Sequence, residues 1–300
     1  MAGKPTATTP RHHCTTAKIM GKLGIAFGGG GARGAAHVGV IMELTRLGLH
    51  PDLVTGTSIG GLVGAMVASG KSTDNMTAFF EEVSLTQLYS LPTSIPALSH
   101  NSKLKRIIKE TIQTETFADL NLPLAVVTVD LISRKEIILD EGDLLSAILA
   151  TMSIPVLLPP IERDGLILID GGILNNVPFD VARARGSTYV IAIDLTNTAP
   201  FGTSDDDDDN LYAPVTMLER ALAMTRRRRT WQILSTTTDI ISSRSLSARL
   251  AISQPELIIR PEMGTMGLFD FHRWQEGIER GRQAVLAVED ELVALKNQRQ

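Results

Sequence analysis

The sequence predicts an α/β fold in which a mostly parallel central sheet lies between helices. From Lys22 onward, segments patterned as strands alternate with segments patterned as helices. Short runs such as Leu124-Ala-Val-Val-Thr-Val are apolar on both faces, which is typical of strands buried in a parallel sheet. The chain has 300 residues, of which 43% are hydrophobic. This is enough to build a sizeable core.

The first half of the domain is predicted from alternating strand and helix periods. Residues 23–27 and 52–55 are expected to form strands, and the expected helices are 34–47, 58–69, 72–85 and 102–112, the last after a proline-broken segment at 91–99. Three later apolar runs each end at an aspartate, namely Asp130, Asp170 or Asp194. Because ligands of open α/β sheets bind beyond the carboxyl ends of strands, these aspartates are expected near one edge of the sheet. A strand at 256–260 and an amphipathic helix at 271–295 complete the domain.

Composition divides the chain into a tail and one domain. Residues 1–21 are rich in Thr, Pro and His and are predicted to be a disordered tail, followed by a domain over 22–295. Within that domain we expect an acidic loop at 197–212, which contains Asp205 to Asp209, and a basic helix at 213–235, which carries Arg226 to Arg229. This region is the expected lid or access element. A solvated helix face is favoured for the arginines, and an interfacial helix at a bilayer is the alternative.

Charge and cysteine content narrow the partners and the compartment. The net charge of −4 gives no general attraction to nucleic acid. The one cysteine, Cys14, cannot form an intrachain disulfide and fits a reducing compartment. The N-terminus has no apolar signal segment, so a cytoplasmic location is expected. No apolar stretch reaches the ~20 residues of a spanning helix, so any contact with the inner membrane surface is expected to be peripheral. Oligomeric state is not predicted.

Two glycine-framed loops follow the first two predicted strands. The first is G-G-G-G-A-R-G at 28–34, and the second is G-T-S-I-G at 56–60. A glycine-rich turn at a helix start exposes backbone N–H groups that can hold negative charge. A serine between glycines on a strand-to-helix turn, here Ser58, can be held exposed as a nucleophile. Together the loops suggest a nucleophile beside an oxyanion hole.

The first loop also contains G-x-G-x-x-G, the fingerprint of dinucleotide-binding proteins. That function requires an acidic residue at the end of the second strand. Asp52 lies at the start of this strand and therefore at its wrong end, so a nucleotide cofactor is not expected.

Asp170 is the predicted base for Ser58. It ends a strand and is followed by Gly171 and Gly172, which permit a sharp turn that directs the carboxylate into the crevice. Asp130 and Asp194 lack such glycines and are expected to be cap or turn residues. A triad of Ser58, Asp170 and His272 is the alternative in chain order.

The remaining histidines are not expected to act as bases. His37 is expected to be a packing residue, and His50, His100 and the tail residues His12 and His13 are expected to be solvated.

These motifs, together with S-I-P at 153–155 and G-G-I-L-N-N-V-P at 171–178, resemble those of the patatin-like phospholipase family. The resemblance is greatest to short bacterial members related to the catalytic domain of neuropathy target esterase. It implies an α/β/α sandwich akin to cytosolic phospholipase A2 and a Ser58–Asp170 dyad without histidine, metal or cofactor. The implied oxyanion hole comprises Gly29, Gly30, Gly31, Arg33 and Gly34. Gly56 and Gly60 frame the nucleophile, and Gly171 and Gly172 form the turn of the base.

The predicted function is therefore hydrolysis of lipid acyl esters, of phospholipids or lysophospholipids. A regulatory or adaptor protein with the same fold and little turnover is one alternative. A histidine-dependent α/β-hydrolase is the other.

Overall fold

The computed structural model describes residues 21–83, 98–155, 157–197 and 215–299, with the backbone alone for 98–104 and 215–232. The predicted tail, most of the proline-broken segment, the acidic loop beyond Asn197 and the side chains of Arg226 to Arg229 lie outside the described residues.

The strands form one mixed sheet with a parallel centre. They are β1 (Leu23–Phe27), β2 (Leu53–Thr57), β3 (Leu124–Asp130), β4 (Lys135–Leu139), β5 (Ile161–Arg163), β6 (Leu166–Asp170), β7 (Tyr189–Ile193) and β8 (Leu257–Ile259). Five of them run parallel in the order β3-β2-β1-β7-β8. Strands β4 and β6 pair antiparallel with β3, and β5 pairs antiparallel with β6. The prediction of a mostly parallel sheet is confirmed.

The registers on β3 place the ends of β2 and β6 together. β4 pairs with residues 126–130 of β3, so β2, which pairs with 124–127, must use the opposite edge. β6 pairs with Thr128 to Asp130 of β3, and β4 already occupies one edge of β3 at these residues. β6 must therefore pair with the other edge of β3, the edge that also carries β2. Thr57 is opposite Val127 and Asp170 is opposite the next residue, Thr128. The two strands therefore meet end to end where the candidate residues lie.

Helices cover the sheet and enclose the core. They are α1 (Ala35–Arg46), α2 (Ile59–Ala68), α3 (Thr73–Glu82), α4 (Leu98–Ile112), α5 (Leu144–Thr151), α6 (Phe179–Ala184), α7 (Val215–Leu250), α8 (Trp274–Leu286) and α9 (Glu289–Arg299). All five residues of β1 and of β2 are buried, as the apolar strand runs predicted. Within the described ranges, no helix has both the length and the apolar composition needed to cross a membrane.

Several short elements were not predicted from the sequence. They are β4, whose first residue is exposed, the three-residue β5, and the helices α5 and α6 of eight and six residues. Their periodicity is too brief or their pattern too mixed to identify them. For α5 a local signal existed, because the Asp143 carboxylate accepts a hydrogen bond from the Ser146 N–H (2.7 Å) as an N-cap.

Three helices have boundaries that differ from the prediction. The helix expected at 102–112 begins at Leu98. The helix expected at 213–235 continues to Leu250. Its second half packs on the turn that follows Asp170, where Ser242 and Ser245 donate hydrogen bonds to the carbonyl oxygens of Gly172 and Leu174. The helix expected at 271–295 is divided at Ala287 and Val288 into α8 and α9. Neither residue at this break is Gly or Pro, so the sequence does not mark it.

Candidate active site

Ser58 lies at the junction between β2 and α2 in a strained backbone conformation. Its φ of 58° and ψ of −129° are rarely adopted by residues other than glycine. The flanking glycines are required by close backbone packing. A Cβ at Gly56 would lie 2.4 Å from the Gly60 carbonyl oxygen, and one at Gly60 would lie 2.2 Å from the Phe27 carbonyl oxygen. The G-x-S-x-G spacing thus produces the sharp turn expected of it.

Asp170 ends β6 next to Ser58, and the two side chains interact. Only 6% of Asp170 and 5% of Ser58 is exposed. Burial raises the pKa of the Asp170 carboxyl to about 6, while the neighbouring Ser58 hydroxyl and the hydrogen bond from the Gly172 N–H partly lower it. The Gly172 N–H lies 2.8 Å from the carboxylate oxygen Oδ1. The carboxylate is therefore desolvated beside the serine, as a base for Ser58 must be.

Thr151, at the end of α5, fixes the backbone of the serine turn. Its hydroxyl accepts a hydrogen bond from the Ser58 N–H (2.9 Å) and donates one to the Val127 carbonyl oxygen (2.6 Å). The Asp170 N–H donates to the Ser153 carbonyl oxygen (3.0 Å). These contacts connect both candidate residues to the C-terminal end of α5 and the residues that follow it, and Ser58 also to β3 through Thr151.

The glycine loop lies against Ser58, and its amides differ in availability. The Gly29 N–H donates to the Asn176 carbonyl oxygen (3.0 Å), and the Ala32 N–H donates to the Leu268 carbonyl oxygen (2.8 Å). In the described part of the chain, no hydrogen bond uses the N–H of Gly30 or Gly31. These two amides are therefore the ones left to bind an anion.

The other loop residues have structural contacts. Gly34 faces the side chain of Ile59, because a Cβ there would lie 2.4 Å from Ile59 Cγ1. His37 is completely buried, and its Nε2–H donates to the Gly28 carbonyl oxygen (2.8 Å). Burial lowers the pKa of His37 to about 4. His37 thus supports the loop from behind as a neutral packing residue, which agrees with the prediction for it.

Arg33 is buried and paired with a residue of α7. Its Nη2 and Nη1 donate to Oδ1 (2.8 Å) and Oδ2 (3.3 Å) of Asp239, and its Nε donates to the Gly30 carbonyl oxygen (3.4 Å). Burial raises the pKa of the Asp239 carboxyl, and the Arg33 charge opposes that effect. The arginine thus connects the glycine loop to the long helix.

A narrow pocket opens at these residues. Its cavity volume is about 50 Å³, far smaller than the roughly 300–1,000 Å³ typical of small-molecule sites. Of the predicted site residues, those lining it are Gly29, Gly30, Gly31, Arg33, Ser58, Asp170 and Gly172. Asn176, Thr238, Asp239 and Ser242 add polar groups, and the apolar lining comes from Ile154, Pro155, Ile173, Leu234, Leu268 and Phe269.

Comparison with known proteins assigns the family. The family model of the patatin-like phospholipases matches residues 25–183, which is more than half of the chain. The chain belongs to the patatin-like phospholipase family. This confirms the family predicted from the three motifs.

The relatives of this patatin-like protein include much longer chains. Mouse patatin-like phospholipase domain-containing protein 7 is 29% identical over 286 residues, which cover 87% of this chain and 20% of the relative. Human patatin-like phospholipase domain-containing protein 6 is 34% identical over 203 residues, or 63% of this chain and 14% of the relative. An NTE family protein of Mycobacterium tuberculosis is 29% identical over 279 residues, which cover 90% of this chain and 47% of the relative. The chain thus spans a fifth or less of the length of the two mammalian relatives and about half that of the mycobacterial one.

A solved structure supports the fold. VipD from Legionella pneumophila superposes with a TM-score of 0.52 at 15% sequence identity, over 90% of this chain and 67% of VipD. At this identity the similarity concerns the fold alone. It confirms the predicted α/β architecture with a central, mostly parallel sheet between helices.

Sequence reasoning missed three residues of this patatin-like site. Thr151 and Asp239 carried no recognised motif, although Asp239 is the one acidic residue between positions 230 and 250. Asn176 lies within the G-G-I-L-N-N-V-P motif, and its Nδ2 donates to the Gly29 carbonyl oxygen (3.3 Å). Only the folded chain shows that all three contact the serine turn or the glycine loop.

The alternative site residues lie elsewhere in the fold. His272 is exposed before α8, and no histidine is among the described residues that line the pocket. Asp52 binds the Leu23 N–H (2.7 Å) at the opposite end of the strands.

The other strand-end aspartates have turn contacts. Asp130 accepts hydrogen bonds from the N–H groups of Ser133 (2.7 Å) and Ile167 (3.0 Å), and Asp194 accepts one from the Thr196 N–H (3.0 Å). Among the described residues, no cluster of His, Cys, Asp and Glu could hold a metal ion.

Proposed function

We propose that this protein is a serine hydrolase of lipid acyl esters, with Ser58 as the nucleophile and Asp170 as the general base. The observation that supports it most is a strained serine and a desolvated carboxylate lining one pocket, beside two loop amides that no hydrogen bond among the described residues uses. The substrate class follows from the family, and from the apolar residues that line the pocket. Within that class, phospholipids and lysophospholipids are the proposed substrates.

The first half-reaction forms an acyl-enzyme. The Ser58 oxygen attacks the ester carbonyl carbon while its proton passes to the Asp170 carboxylate. The carbonyl oxygen becomes an oxyanion, which the N–H groups of Gly30 and Gly31 bind. Each such donor is worth about 3 kcal/mol in acyl transfer. When the tetrahedral intermediate collapses, the alcohol leaves with the proton held by Asp170.

The second half-reaction is the same chemistry with water as the nucleophile. Asp170, again ionised, takes a proton from water, which attacks the acyl carbon. The carboxylic acid is released and the proton returns to the Ser58 oxygen. Each step uses side chains and amides of this chain, and a single carboxylate accepts and donates every proton.

The raised pKa of Asp170 explains how a carboxylate can serve as this base. An ordinary aspartate with a pKa near 4 is too weak to take a proton from a serine hydroxyl effectively. Burial brings the pKa of Asp170 to about 6, close to a neutral operating pH. The carboxylate remains mostly ionised there and is a stronger base than an exposed one.

In this proposal the oxyanion hole has fewer donor residues than the sequence predicted. Gly30 and Gly31 retain the role of donors. The Gly29 N–H is bonded to Asn176, Arg33 is paired with Asp239, and Gly34 packs on Ile59. The latter three residues shape and hold the loop.

The test of this function is replacement of Ser58. Ser58→Ala should lose covalent labelling by a fluorophosphonate probe. It should also hydrolyse p-nitrophenyl acyl esters at least about a thousandfold more slowly, since the nucleophile is absent. Ser243→Ala, on the exposed face of α7, is the matched control and should be labelled like the parent. Undiminished hydrolysis by Ser58→Ala would refute the proposal.

The same experiments separate the two alternatives. A regulatory or adaptor protein with a patatin-like fold should not react with the fluorophosphonate probe at Ser58. A histidine-dependent hydrolase should lose activity in His272→Ala. The dyad predicts labelling of the parent and at most a small effect of that substitution, since His272 is exposed and does not line the pocket.

A further inference from the structure

The ion pair between Arg33 and Asp239 is a charged part of the pocket wall. Only 1% of the Arg33 side chain and 13% of the Asp239 side chain is exposed. Two parallel hydrogen bonds join the guanidinium to the carboxylate, at 2.8 and 3.3 Å. This is the geometry in which arginine also binds phosphate. Asp239 therefore occupies the face of Arg33 that an anionic substrate group would need.

The charges of the described lining residues leave no cation unbalanced. Arg33 is the basic residue among them, and Asp170 and Asp239 are the acidic ones. Asp239 compensates Arg33, and the ionised base Asp170 adds a negative charge close to Ser58. A head group with net negative charge would meet repulsion from Asp170 without a free guanidinium to offset it, whereas a zwitterionic head group carries its own compensating cation.

We propose that Asp239 acts as a charge filter for the substrate: by occupying Arg33, it favours lipid acyl esters whose head group has no net charge, zwitterionic phospholipids and lysophospholipids included, and disfavours those whose head group is net negative. This inference rests on the proposed hydrolase function and specifies its substrate class. It assigns to Asp239 the selection of the head group, and to Arg33 a latent phosphate site.

Holding α7 in place does not require this ion pair. Ser242 Oγ donates to the Gly172 carbonyl oxygen (3.4 Å), and Ser245 Oγ donates to that of Leu174. Arg249, near the end of α7, is paired with both Asp180 and Glu136. A buried ion pair is costly to desolvate, and an apolar pair often stabilises a fold as well. The charges of Arg33 and Asp239 are therefore better explained by their position on the pocket.

The experiment compares two substrates that differ by one phosphate. Monoacylglycerol and lysophosphatidic acid with the same acyl chain are supplied below their aggregation concentrations at constant ionic strength, and release of the fatty acid is measured. The parent should have the higher kcat/KM for monoacylglycerol. Asp239→Asn should shift the ratio of kcat/KM toward lysophosphatidic acid by about tenfold or more, because the freed guanidinium pairs with the phosphate.

Two further variants show whether charge is the cause. Asp239→Glu retains the carboxylate and should preserve the ratio of the parent. Asp180→Asn removes a carboxylate that is paired with α7 outside the pocket, and it should leave the ratio unchanged.

Three results would overturn the charge filter. The first is a parent enzyme that hydrolyses lysophosphatidic acid at least as well as monoacylglycerol, which requires no variant. The second is an equal change of both rates in Asp239→Asn, which is the result expected if the ion pair only holds α7 in place. The third is an equal shift of the ratio in Asp180→Asn. Fluorophosphonate labelling of Ser58 in the same samples distinguishes these failures from failure of the hydrolase function itself.

Discussion

Ser58 and Asp170 both occupy positions that are unfavourable for the folded state. The positive φ of Ser58 carries strain of about 1–3 kcal/mol for a residue other than glycine. Asp170 is buried beside it, where ionisation is opposed by desolvation. The surrounding contacts of Thr151, Gly172 and the strand pairs hold both residues in place. Such local costs are typical of reactive sites.

At the residue scale, the pKa of Asp170 predicts the pH dependence of activity. The base must be ionised to take the serine proton, so kcat/KM should fall about tenfold per pH unit well below the midpoint. The midpoint should lie near pH 6, the raised pKa of this carboxyl. Initial rates on a p-nitrophenyl ester from pH 4.5 to 9 measure it. A profile that stays flat to pH 4.5 would contradict the role of a desolvated base.

The same pKa predicts that Asp170→Asn stabilises the fold at neutral pH. The folded-state pKa, about 6, lies above the ordinary aspartate value of 3.8. The folded protein therefore binds the proton more tightly than the unfolded chain does. The resulting stabilisation is fully present below pH 3.8 and is lost as the pH rises through 6. The ionised group thus costs up to about 3 kcal/mol at pH 8.

Denaturant unfolding tests this expectation. Asn is nearly isosteric and its Oδ1 can still accept the Gly172 N–H. The variant should therefore unfold at higher urea concentration than the parent at pH 8 and lose that advantage near pH 4. An equal difference at both values would show that the effect does not arise from ionisation.

At the scale of the element, the start of α2 packs closely against the backbone of β1 and of the loop after it. A Cβ at Gly60 would lie 2.2 Å and 2.6 Å from the carbonyl oxygens of Phe27 and Gly28. One at Gly64, one turn later in the same helix, would lie 3.2 Å from the end of the Leu124 side chain. A backbone cannot move aside as easily as a flexible side chain can. A side chain at Gly60 therefore meets backbone atoms, whereas a small one at Gly64 meets only side-chain atoms, which can move.

This difference predicts opposite effects of two alanine substitutions. Gly60→Ala should lower the free energy of unfolding by about 2–3 kcal/mol, because its Cβ overlaps the carbonyl oxygens of β1 and the loop after it. Gly64→Ala is the matched control and should change it by less than about 1 kcal/mol, since alanine's helix propensity offsets mild crowding. Chemical denaturation measures both. Equal losses would mean that the close approach at Gly60 is not a constraint.

The helix α7 contributes to the site through one face. Leu234, Thr238 and Ser242, four residues apart, line the pocket, and Ile233 and Ile240 are exposed. The cavity of about 50 Å³ holds only a few water molecules. We therefore expect a lipid acyl chain to enter only when α7 or the segment of Leu268 and Phe269 moves. The lid expected from the sequence at Asn197 to Leu234 stays a prediction.

At the scale of the whole molecule, the C-terminal region completes the site from behind. Helix α8 crosses α1 so closely that a Cβ at Gly281 would lie 2.0 Å from the Ala36 carbonyl oxygen. The segment before α8 supplies the Leu268 carbonyl oxygen that accepts the Ala32 N–H. The glycine loop is therefore positioned by residues from both ends of the domain.

This packing predicts that Gly281→Ala impairs both stability and activity. The added methyl group must separate α8 from α1, which should lower the unfolding temperature and slow fluorophosphonate labelling of Ser58 by displacing the loop. Gln283→Ala, an exposed position in the same helix, should affect neither. Thermal unfolding and labelling rates provide the measurements. Normal labelling in a destabilised Gly281→Ala would show that the loop does not depend on the α1–α8 contact.

The cytoplasmic location, the peripheral membrane contact and the division into a tail and one domain remain predictions. The oligomeric state is not predicted.

The sequence alone determined the features that depend on local sterics. The G-x-S-x-G turn, the glycine loop and the turn after Asp170 are each specified within a few residues, because only glycine fits where backbones approach closely. Continuous apolar runs likewise indicated the buried strands, because a strand covered on both faces carries apolar side chains at successive positions.

Only the tertiary structure decided what depends on residues far apart in the chain. The pairing of β6 with the edge of β3 brings Asp170 to Ser58. The Asn176 carbonyl oxygen accepts the Gly29 N–H, so this amide cannot bind an oxyanion. Arg33 finds its partner 206 positions away in Asp239. Local patterns cannot encode such contacts, because they arise when separate elements pack against one sheet. The motifs thus specified the chemistry of the site, while long-range packing decided which of its amides and charges are free.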